Sequence, residues 1–209
     1  MKILNHEIAN YLLNLIPERN PTLKEMEEYA NINNFPIIGP LVGQFLLQYS
    51  LMLKPKRILE LGSGYGYSAM WFSSGTPEST QIICTDGSEK NAEKAKYYFM
   101  KAEMENRIEF HIGDAVETMD NLEGNFDFIF CDIDKEGYPE AFSKAVPRLN
   151  SGGIMITDNS LWSGRVIDDS NIEESTKGVR LFNNQAFTDP RVYSMIIPIR
   201  DGVCISYKY

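Results

Sequence analysis

The chain has 209 residues, of which 43% are hydrophobic and 23% are charged. These proportions are ordinary for a globular protein and supply enough apolar side chains for one sizeable core. The net charge of −9 argues against electrostatic capture of a polyanion, although a local basic patch would still permit a nucleic-acid substrate.

The amino-terminal segment and the cysteines bear on cellular location. Residues 1–20 lack the long apolar run of a signal peptide, and no stretch of the chain approaches the roughly 20 apolar residues of a membrane helix. Cys84, Cys131 and Cys204 lie in apolar, strand-like segments and match no zinc spacing, so we interpret them as reduced core thiols. The sequence therefore predicts a cytoplasmic protein with no membrane partner.

Residues 1–54 have helical periodicity. Apolar residues recur at helical spacing over 8–15, just before a proline. Thr22 is placed to cap a second helix, with Glu25 three residues later completing a capping box. A third, strongly apolar helix is expected over 41–53. We predict an N-terminal helical segment that belongs to the same domain as the rest of the chain.

From residue 56 onward, strand-like and helical patterns alternate. Short apolar segments bounded by Gly, Asp or Asn lie at 57–61, 81–85, 108–111, 126–131 and 153–157. Helical patterns separate them, and a tight PIRDG segment joins two last strands into a hairpin. This order predicts one α/β domain over 1–209. We expect a Rossmann-like, seven-stranded, mostly parallel sheet with helices on both faces and a C-terminal antiparallel hairpin.

A glycine-rich turn follows the first predicted strand. The segment ILELGSGYGYS places Gly62, Gly64 and Gly66 before a helix that begins near Ser68. Glycines let the backbone turn sharply and approach a ligand closely. The G-x-G-x-G spacing departs from the G-x-G-x-x-G dinucleotide fingerprint. Glu60, just before the turn, would repel a pyrophosphate but suits a cationic ligand such as S-adenosylmethionine.

Acidic residues also end the next two predicted strands. Asp86 lies 24 residues after Gly62, where folds of this kind place a ribose-binding acid. Asp114, at the end of the third strand, is placed to accept a hydrogen bond from an adenine amino group. Each residue alone is more often a solvated loop acid. Because both acids occupy equivalent positions at the ends of successive strands, together they favour a cofactor site.

Oxygen-bearing side chains follow the fourth and fifth predicted strands. Asp132 and Asp134 end FDFIFCDID, and Asp158 and Asn159 end GGIMITDN. An open α/β sheet binds its ligands outside the carboxyl ends of its strands, and carboxylate and amide oxygens suit Mg²⁺ or Ca²⁺. Either pair alone is more often a turn or a helix cap. Both pairs at adjacent strand ends, with Lys135 between them in sequence, predict a metal site beside the cofactor loop.

These motifs resemble those of the cation-dependent O-methyltransferases of the class I S-adenosylmethionine fold, which include the catechol and caffeoyl-CoA O-methyltransferases and small bacterial relatives. The resemblance runs from about Gly39 to the C-terminus, through VGQFL, ILELGSGYGYSAMW, GDA, FDFIFCDIDKEGY, PRLNSGGIMITDNSLWSG and PIRDG. It implies methyl transfer from S-adenosylmethionine to a catechol-like or hydroxycinnamoyl-type vicinal diol, with Mg²⁺ (or Ca²⁺ or Mn²⁺). It also implies a homodimer, in which the N-terminal helices cover the active site or contribute to the interface.

The resemblance also implies roles for individual residues. The implied metal ligands are Asp132, Asp158 and Asn159. The implied cofactor-binding residues are Ile38, Glu60, Gly62, Ser68, Asp86, Asp114, Ala115 and Asp132. Lys135 falls where the family has its general base. Arg200 replaces a commoner glycine and Ser160 an apolar residue, both toward the substrate side. The acceptor and the role of Asp134 therefore stay open.

The expected chemistry follows from the groups involved. A free phenol has a pKa near 10 and is mostly protonated at pH 7. A divalent cation that coordinates both oxygens of a vicinal diol would acidify them and orient one toward the methyl group. A lysine beside that dication would lose its proton more readily, because like charges disfavour the ammonium form. Lys135 would then accept the proton of the attacking hydroxyl.

Three other functions remain open. Some bacterial relatives methylate hydroxylated uridine in tRNA, against which the acidic composition weighs mildly. A nicotinamide-dependent oxidoreductase is disfavoured by the glycine spacing, by Glu60 and by the lack of an obvious Tyr-x-x-x-Lys hydride relay. A non-catalytic S-adenosylmethionine-binding protein would not need Asp132, Lys135, Asp158 and Asn159 together.

Overall fold

The computed structural model describes residues 3–209. The strands are β1 (Arg57–Leu61), β2 (Gln81–Asp86), β3 (Ile108–Ile112), β4 (Phe126–Cys131), β5 (Leu149–Thr157), β6 (Val192–Ile197) and β7 (Val203–Lys208). The helices are α1 (His6–Leu15), α2 (Pro21–Asn33), α3 (Gly39–Leu53), α4 (Tyr67–Gly75), α5 (Glu89–Lys101), α6 (Ala115–Asn121), α7 (Tyr138–Arg148) and α8 (Glu174–Thr188). Two 3₁₀ helices span Lys135–Gly137 and Trp162–Ile167.

The strands form one seven-stranded sheet in the order β3-β2-β1-β4-β5-β7-β6. The first five strands pair in parallel, and β7 pairs antiparallel with both β5 and β6. The predicted Rossmann-like architecture with a C-terminal hairpin is therefore confirmed. The direction of strand succession reverses between β1 and β4, and such a switch point opens a crevice at the carboxyl ends of the strands.

The predicted cap of α2 is wrong. Thr22 lies inside the helix and is buried, whereas Asn20 caps it and accepts a hydrogen bond from the Leu23 amide at 2.8 Å. The cause is Pro21 at the first helical position. Its fixed φ suits the helix start and it has no N–H to satisfy, so the residue before it becomes the cap.

Apolar side chains cover both faces of the sheet. On one face Phe72 packs edge-to-face against Phe128, with ring centroids 5.1 Å apart, beneath α2 to α5. On the other face Phe142 and Phe182 make a similar contact at 5.6 Å. Each fully buried side chain of this size contributes roughly 1.5–3 kcal/mol by leaving water. All three cysteines are free and buried, as the sequence predicted.

Helix α1 differs from this pattern. The helix forms as predicted, with Asn5 as its cap, but none of its residues is buried. The apolar stripe that defined it faces outward, with Ile8 51%, Tyr11 62% and Leu15 59% exposed. Among the described residues, no helix combines the length and apolar character that crossing a membrane requires.

Candidate active site

A cavity of about 740 Å³ opens at the carboxyl ends of β1, β2 and β4. It lies at the switch point of the sheet, where an open α/β fold binds its ligands. The residues predicted for the site that line it are Ile38, Gly62, Ser68, Asp86, Asp114, Ala115, Asp132, Lys135 and Asn159. Glu60 and Asp158 are fully buried behind this lining. The topology thus brings together residues that are more than a hundred positions apart in the sequence.

The glycine turn after β1 has the backbone that its sequence predicts. Gly62 has a φ of +84°, and a Cβ there would overlap the backbone carbonyl of Asp132. The Gly64 amide donates to Asp86 Oδ2 at 2.9 Å. The other carboxylate oxygen of Asp86 accepts from the Ser88 amide and from the Asn91 side chain, each at 2.9 Å. Asp86, which the sequence predicted as a ribose-binding acid, therefore also holds the glycine turn in place.

Asp114 has a structural role that sequence reasoning missed. It caps α6, and its Oδ1 accepts from the amides of Val116 and Glu117, both at 2.9 Å. An Asp just before a helix is a standard cap, so the signal was present in the sequence. Both of these hydrogen bonds use Oδ1, which leaves Oδ2 as the oxygen with which Asp114 can contact a cofactor.

Glu60 does not face the cavity. Its carboxylate accepts a short hydrogen bond from the hydroxyl of Ser68, which does line the cavity, and contacts Cys84 Sγ at 3.5 Å. Burial raises the pKa of Glu60 to about 8. Ser68 and Ser63, which both line the cavity, therefore lie between Glu60 and a bound ligand, and the raised pKa favours the uncharged form of the Glu60 side chain.

Replacing Glu60 by glutamine should change how stability depends on pH. The pKa of Glu60 is about 8 in the folded chain and near 4.5 in the unfolded chain, so between these values only the folded state holds the proton. The stabilisation that results from the raised pKa of Glu60 is fully present below about pH 4.5 and is lost as the pH rises toward 8. The free energy of unfolding should fall by roughly 5 kcal/mol at most across this range. Glutamine does not titrate. Urea unfolding at several pH values in this window should give a flatter profile for the variant, and parallel profiles would contradict the assignment.

The predicted metal ligands meet at the ends of β4 and β5. Asp158 is buried, and Arg200 Nη1 donates to its Oδ2 at 3.0 Å, while its Oδ1 has no hydrogen-bond partner within the described part of the chain. Burial raises the pKa of Asp158, and the nearby Asp132 carboxylate raises it further. A buried carboxylate oxygen without a donor, close to a second carboxylate, fits a divalent cation.

The third predicted metal ligand, Asn159, has an amide side chain. Asn159 has a left-handed backbone (φ +53°), and its Nδ2 donates to Asp201 Oδ2 at 3.5 Å, which leaves its oxygen available. Within residues 3–209 no three His, Cys, Asp or Glu side chains are grouped as a metal site, and the predicted ligand set has only two carboxylates beside this amide. Ser160, expected toward the substrate, is buried and donates to the Thr157 carbonyl at 3.0 Å instead.

Two hydrogen bonds and two aromatic rings hold Lys135 beside these predicted ligands. Its Nζ donates to Asp132 Oδ1 at 2.9 Å and to the Ile133 carbonyl at 3.0 Å. The ammonium also lies 5.0 Å from the centroid of the Tyr138 ring and 5.5 Å from that of Trp162. Only 11% of the side chain is exposed. A lysine this shielded from water, at a cavity wall and next to a carboxylate, is suited to proton transfer.

Replacing Gly178 by alanine should disturb Lys135 from a distance. Gly178 lies on α8, outside the cavity, and a Cβ there would overlap the backbone carbonyl of Lys135. Forcing these backbones apart should cost about 1–3 kcal/mol of stability and displace the lysine. We expect a lower unfolding midpoint in urea and a lower kcat. Gly87→Ala is the control for stability alone, because Gly87 lines the cavity but the nearest atom to its added Cβ is 4.0 Å away; an equal fall of the unfolding midpoint in both variants would contradict this reasoning.

A second cavity of about 540 Å³ adjoins the first. Its walls are mostly apolar and come from α1, the start of α3 and the residues before α1. Three residues line both cavities: Ile38, Asn159 and Arg200. Arg200 was noted in the sequence only as a replacement for glycine, and its contact with Asp158 has no local sequence signal because the two residues are 42 positions apart.

Comparisons with known proteins agree with one another. A family model described as O-methyltransferase matches residues 16–209. Among curated proteins, the chain is 27% identical to a caffeoyl-CoA O-methyltransferase of Medicago sativa over 214 residues, which covers 95% of this chain and 87% of the relative.

Solved structures share the fold along nearly the whole chain. An O-methyltransferase from Bacillus cereus in complex with SAH aligns with a TM-score of 0.88 at 27% identity, covering 97% of both chains. The SAH-bound methyltransferase PaMTH1 from Podospora anserina aligns with a TM-score of 0.87 at 26% identity, covering 99% of this chain and 97% of that one. Both of these similar proteins contain the demethylated product of S-adenosylmethionine.

Proposed function

The chain belongs to the S-adenosylmethionine-dependent O-methyltransferase family, and we propose that it methylates one hydroxyl of a vicinal phenolic diol with the help of a divalent cation. One observation carries this assignment: the unpartnered, buried Oδ1 of Asp158 lies close to Asp132 and Lys135 at one edge of the sheet. The similarity to a caffeoyl-CoA O-methyltransferase supports a catechol-like or hydroxycinnamoyl-type diol as the acceptor.

The cofactor is assigned to the larger cavity. When bound there, S-adenosylmethionine supplies a methyl group on a sulfonium. The glycine turn allows close approach of the backbone, and the free Oδ2 of Asp114 is available to an adenine amino group. The residues that would hold the cofactor are Ile38, Gly62, Ser68, Asp86, Asp114, Ala115 and Asp132, with Glu60 acting through Ser68.

The cation is assigned to Asp132, Asp158 and Asn159. Carboxylate and amide oxygens favour Mg²⁺, Mn²⁺ or Ca²⁺ over softer metals. When bound, such an ion would acidify both diol oxygens and orient one of them toward the methyl group. The hydrogen bonds from Arg200 to Asp158 and from Asn159 to Asp201 hold these ligand side chains in place. Partners of this kind orient metal ligands in many proteins.

Lys135 is assigned the proton transfer. With a cation bound beside it, the Lys135 amine in its uncharged form would accept the proton of the attacking hydroxyl. S-adenosylmethionine would supply the methyl group, whose bond to sulfur would break as its bond to the hydroxyl oxygen forms, giving S-adenosylhomocysteine and the monomethyl ether. Holding donor and acceptor at near-attack distance supplies much of the acceleration. The sulfonium and the phenolate both lose charge in the reaction, so a cavity that excludes water favours the transition state.

Further proposals concern the whole protein. The chain forms one domain over 1–209 and acts as a homodimer, which is supported by the outward-facing apolar residues of α1, among them Tyr11. The cytoplasmic location and the tRNA alternative remain predictions.

Methyl-transfer assays test the proposal. Purified protein with S-adenosylmethionine is offered catechol, a caffeoyl thioester and tRNA with or without 5-hydroxyuridine, each with Mg²⁺ or with EDTA. We expect methylation of the diols that EDTA abolishes and excess Mg²⁺ restores. Methylation that EDTA does not affect would overturn the role of the cation, and exclusive methylation of the hydroxylated tRNA would replace the small diol as the acceptor.

A further inference from the structure

The junction of the two cavities contains an arginine in an unfavourable backbone conformation. Arg200 lies in the turn between β6 and β7 and has a φ of +52°. This left-handed conformation suits glycine and is disfavoured for residues with a Cβ. Strained residues of this kind persist where the surrounding structure holds them, and they concentrate at functional sites. Six other non-glycine residues of the described chain share this conformation, so the case for Arg200 rests on the contacts of its guanidinium.

Two hydrogen bonds fix the guanidinium at the junction. Nη1 donates to Asp158 Oδ2 at 3.0 Å, and Nη2 donates to the Ile37 carbonyl at 2.7 Å. The guanidinium has five N–H groups, and the others donate to no residue in the described part of the chain. The side chain is 40% exposed. Arg200 thus presents preorganised donors to the space that joins both cavities.

The charge balance at this junction depends on the cation. Asp158 is the one carboxylate that pairs with Arg200 among residues 3–209. If a divalent cation takes up the charge of Asp158, Arg200 is left with an uncompensated positive charge. Asp201, which also lines the second cavity, accepts from the Asn159 side chain and from the Ser163 amide, and in the described part of the chain it makes no ion pair with Arg200. An anionic group on the ligand would restore the balance.

The walls of the second cavity suit the body of a flat aromatic acceptor. Apolar side chains that line it include Leu4, Leu13, Ile38 and Leu41. Asn159, an assigned cation ligand, also lines it, so a diol bound at the cation would have its ring directed along these walls. Arg200 lies at the inner end of this path.

We propose that Arg200 is a specificity-determining residue that selects vicinal diols carrying a carboxylate on or near the ring, with the ring in the second cavity. This selectivity presupposes the cation-dependent methyl transfer proposed above. A guanidinium binds a carboxylate through paired, charge-assisted hydrogen bonds, which a neutral ester cannot match.

The test compares two acceptors that differ in one charge. The kcat/KM for 2,3-dihydroxybenzoate, whose carboxylate lies next to the diol, and for its methyl ester is measured with saturating Mg²⁺ and S-adenosylmethionine. We expect the wild-type protein to prefer the acid at least tenfold. This ratio should fall to about one in Arg200→Gln, which removes the charge, and to an intermediate value in Arg200→Lys, which keeps the charge but not the planar fork. Because each ratio is taken within one protein, a general loss of activity cancels.

The control is Arg191→Gln, an arginine that pairs with Asp189 away from both cavities and whose loss should leave the ratio unchanged. Equal or better use of the ester by the wild-type protein, with EDTA still inhibiting, would overturn this inference and leave the proposed function standing. An unchanged ratio in Arg200→Gln would overturn it too. Lack of turnover of either acceptor by the wild-type protein would overturn both.

Discussion

Replacing Lys135 by alanine should lower kcat by roughly two to four orders of magnitude, the usual contribution of a general base. Affinity for S-adenosylhomocysteine should change far less than kcat, because the lysine donates to Asp132, which remains in place, and to the Ile133 carbonyl, but to no group of the glycine turn. Single-turnover methyl transfer measures the first quantity, and isothermal titration calorimetry measures the second.

The matched control for this variant is Lys177→Ala. Lys177 also pairs with an acid three positions earlier, Glu174, at 2.7 Å, but it is exposed and lies outside both cavities. The control should keep wild-type activity. Lys135→Arg should be nearly as inactive as the alanine variant, because a guanidinium stays protonated at neutral pH. Turnover by Lys135→Ala at more than a tenth of the wild-type rate would refute the assignment of the base.

Replacing Asp158 by alanine should weaken Mn²⁺ binding by at least about a hundredfold, because it removes the buried oxygen that lacks a donor. Electron paramagnetic resonance of Mn²⁺ measures this loss without relying on turnover. Methyl transfer to a diol should fall in parallel and should not recover at high Mg²⁺.

A variant of Asp134 is the control for Asp158→Ala. Asp134 lines the same cavity but lies outside the assigned ligand set. Asp134→Asn should bind Mn²⁺ within a few-fold of the wild-type protein. If Asp134→Asn lost the ion and Asp158→Ala kept it, the ligand set would have to be redrawn around residue 134.

The fold was predictable because its signals are periodic and local. Apolar runs of strand length, separated by helical patterns, define βαβ units. The crossover between the parallel strands of such a unit is almost always right-handed, which leaves few possible topologies. The start of α2 shows where local rules conflict. Thr22 with Glu25 fits a capping box, but Pro21 makes Asn20 the cap, and choosing between them required the observed backbone.

The site was predictable as a set of residues but not as a set of contacts. Asp114 and Asp86 were expected to face a cofactor, and each also braces the backbone around it. Glu60 was expected beside a cation, yet it is buried behind Ser68. Each of these outcomes depends on hydrogen bonds whose geometry is set by packing, which spacing along the chain does not encode.

By itself, the sequence determined which oxygen and nitrogen groups gather at the open edge of the sheet. Parallel strands that alternate with helices all end on the same side, so Asp132 and Asp158 had to emerge together. Only the tertiary structure decided which of their carboxylate oxygens accept a hydrogen bond and which are available to a ligand. Arg200, Ile37 and Asp158 meet across three distant segments, and contacts between segments so far apart follow from the packing of the whole chain.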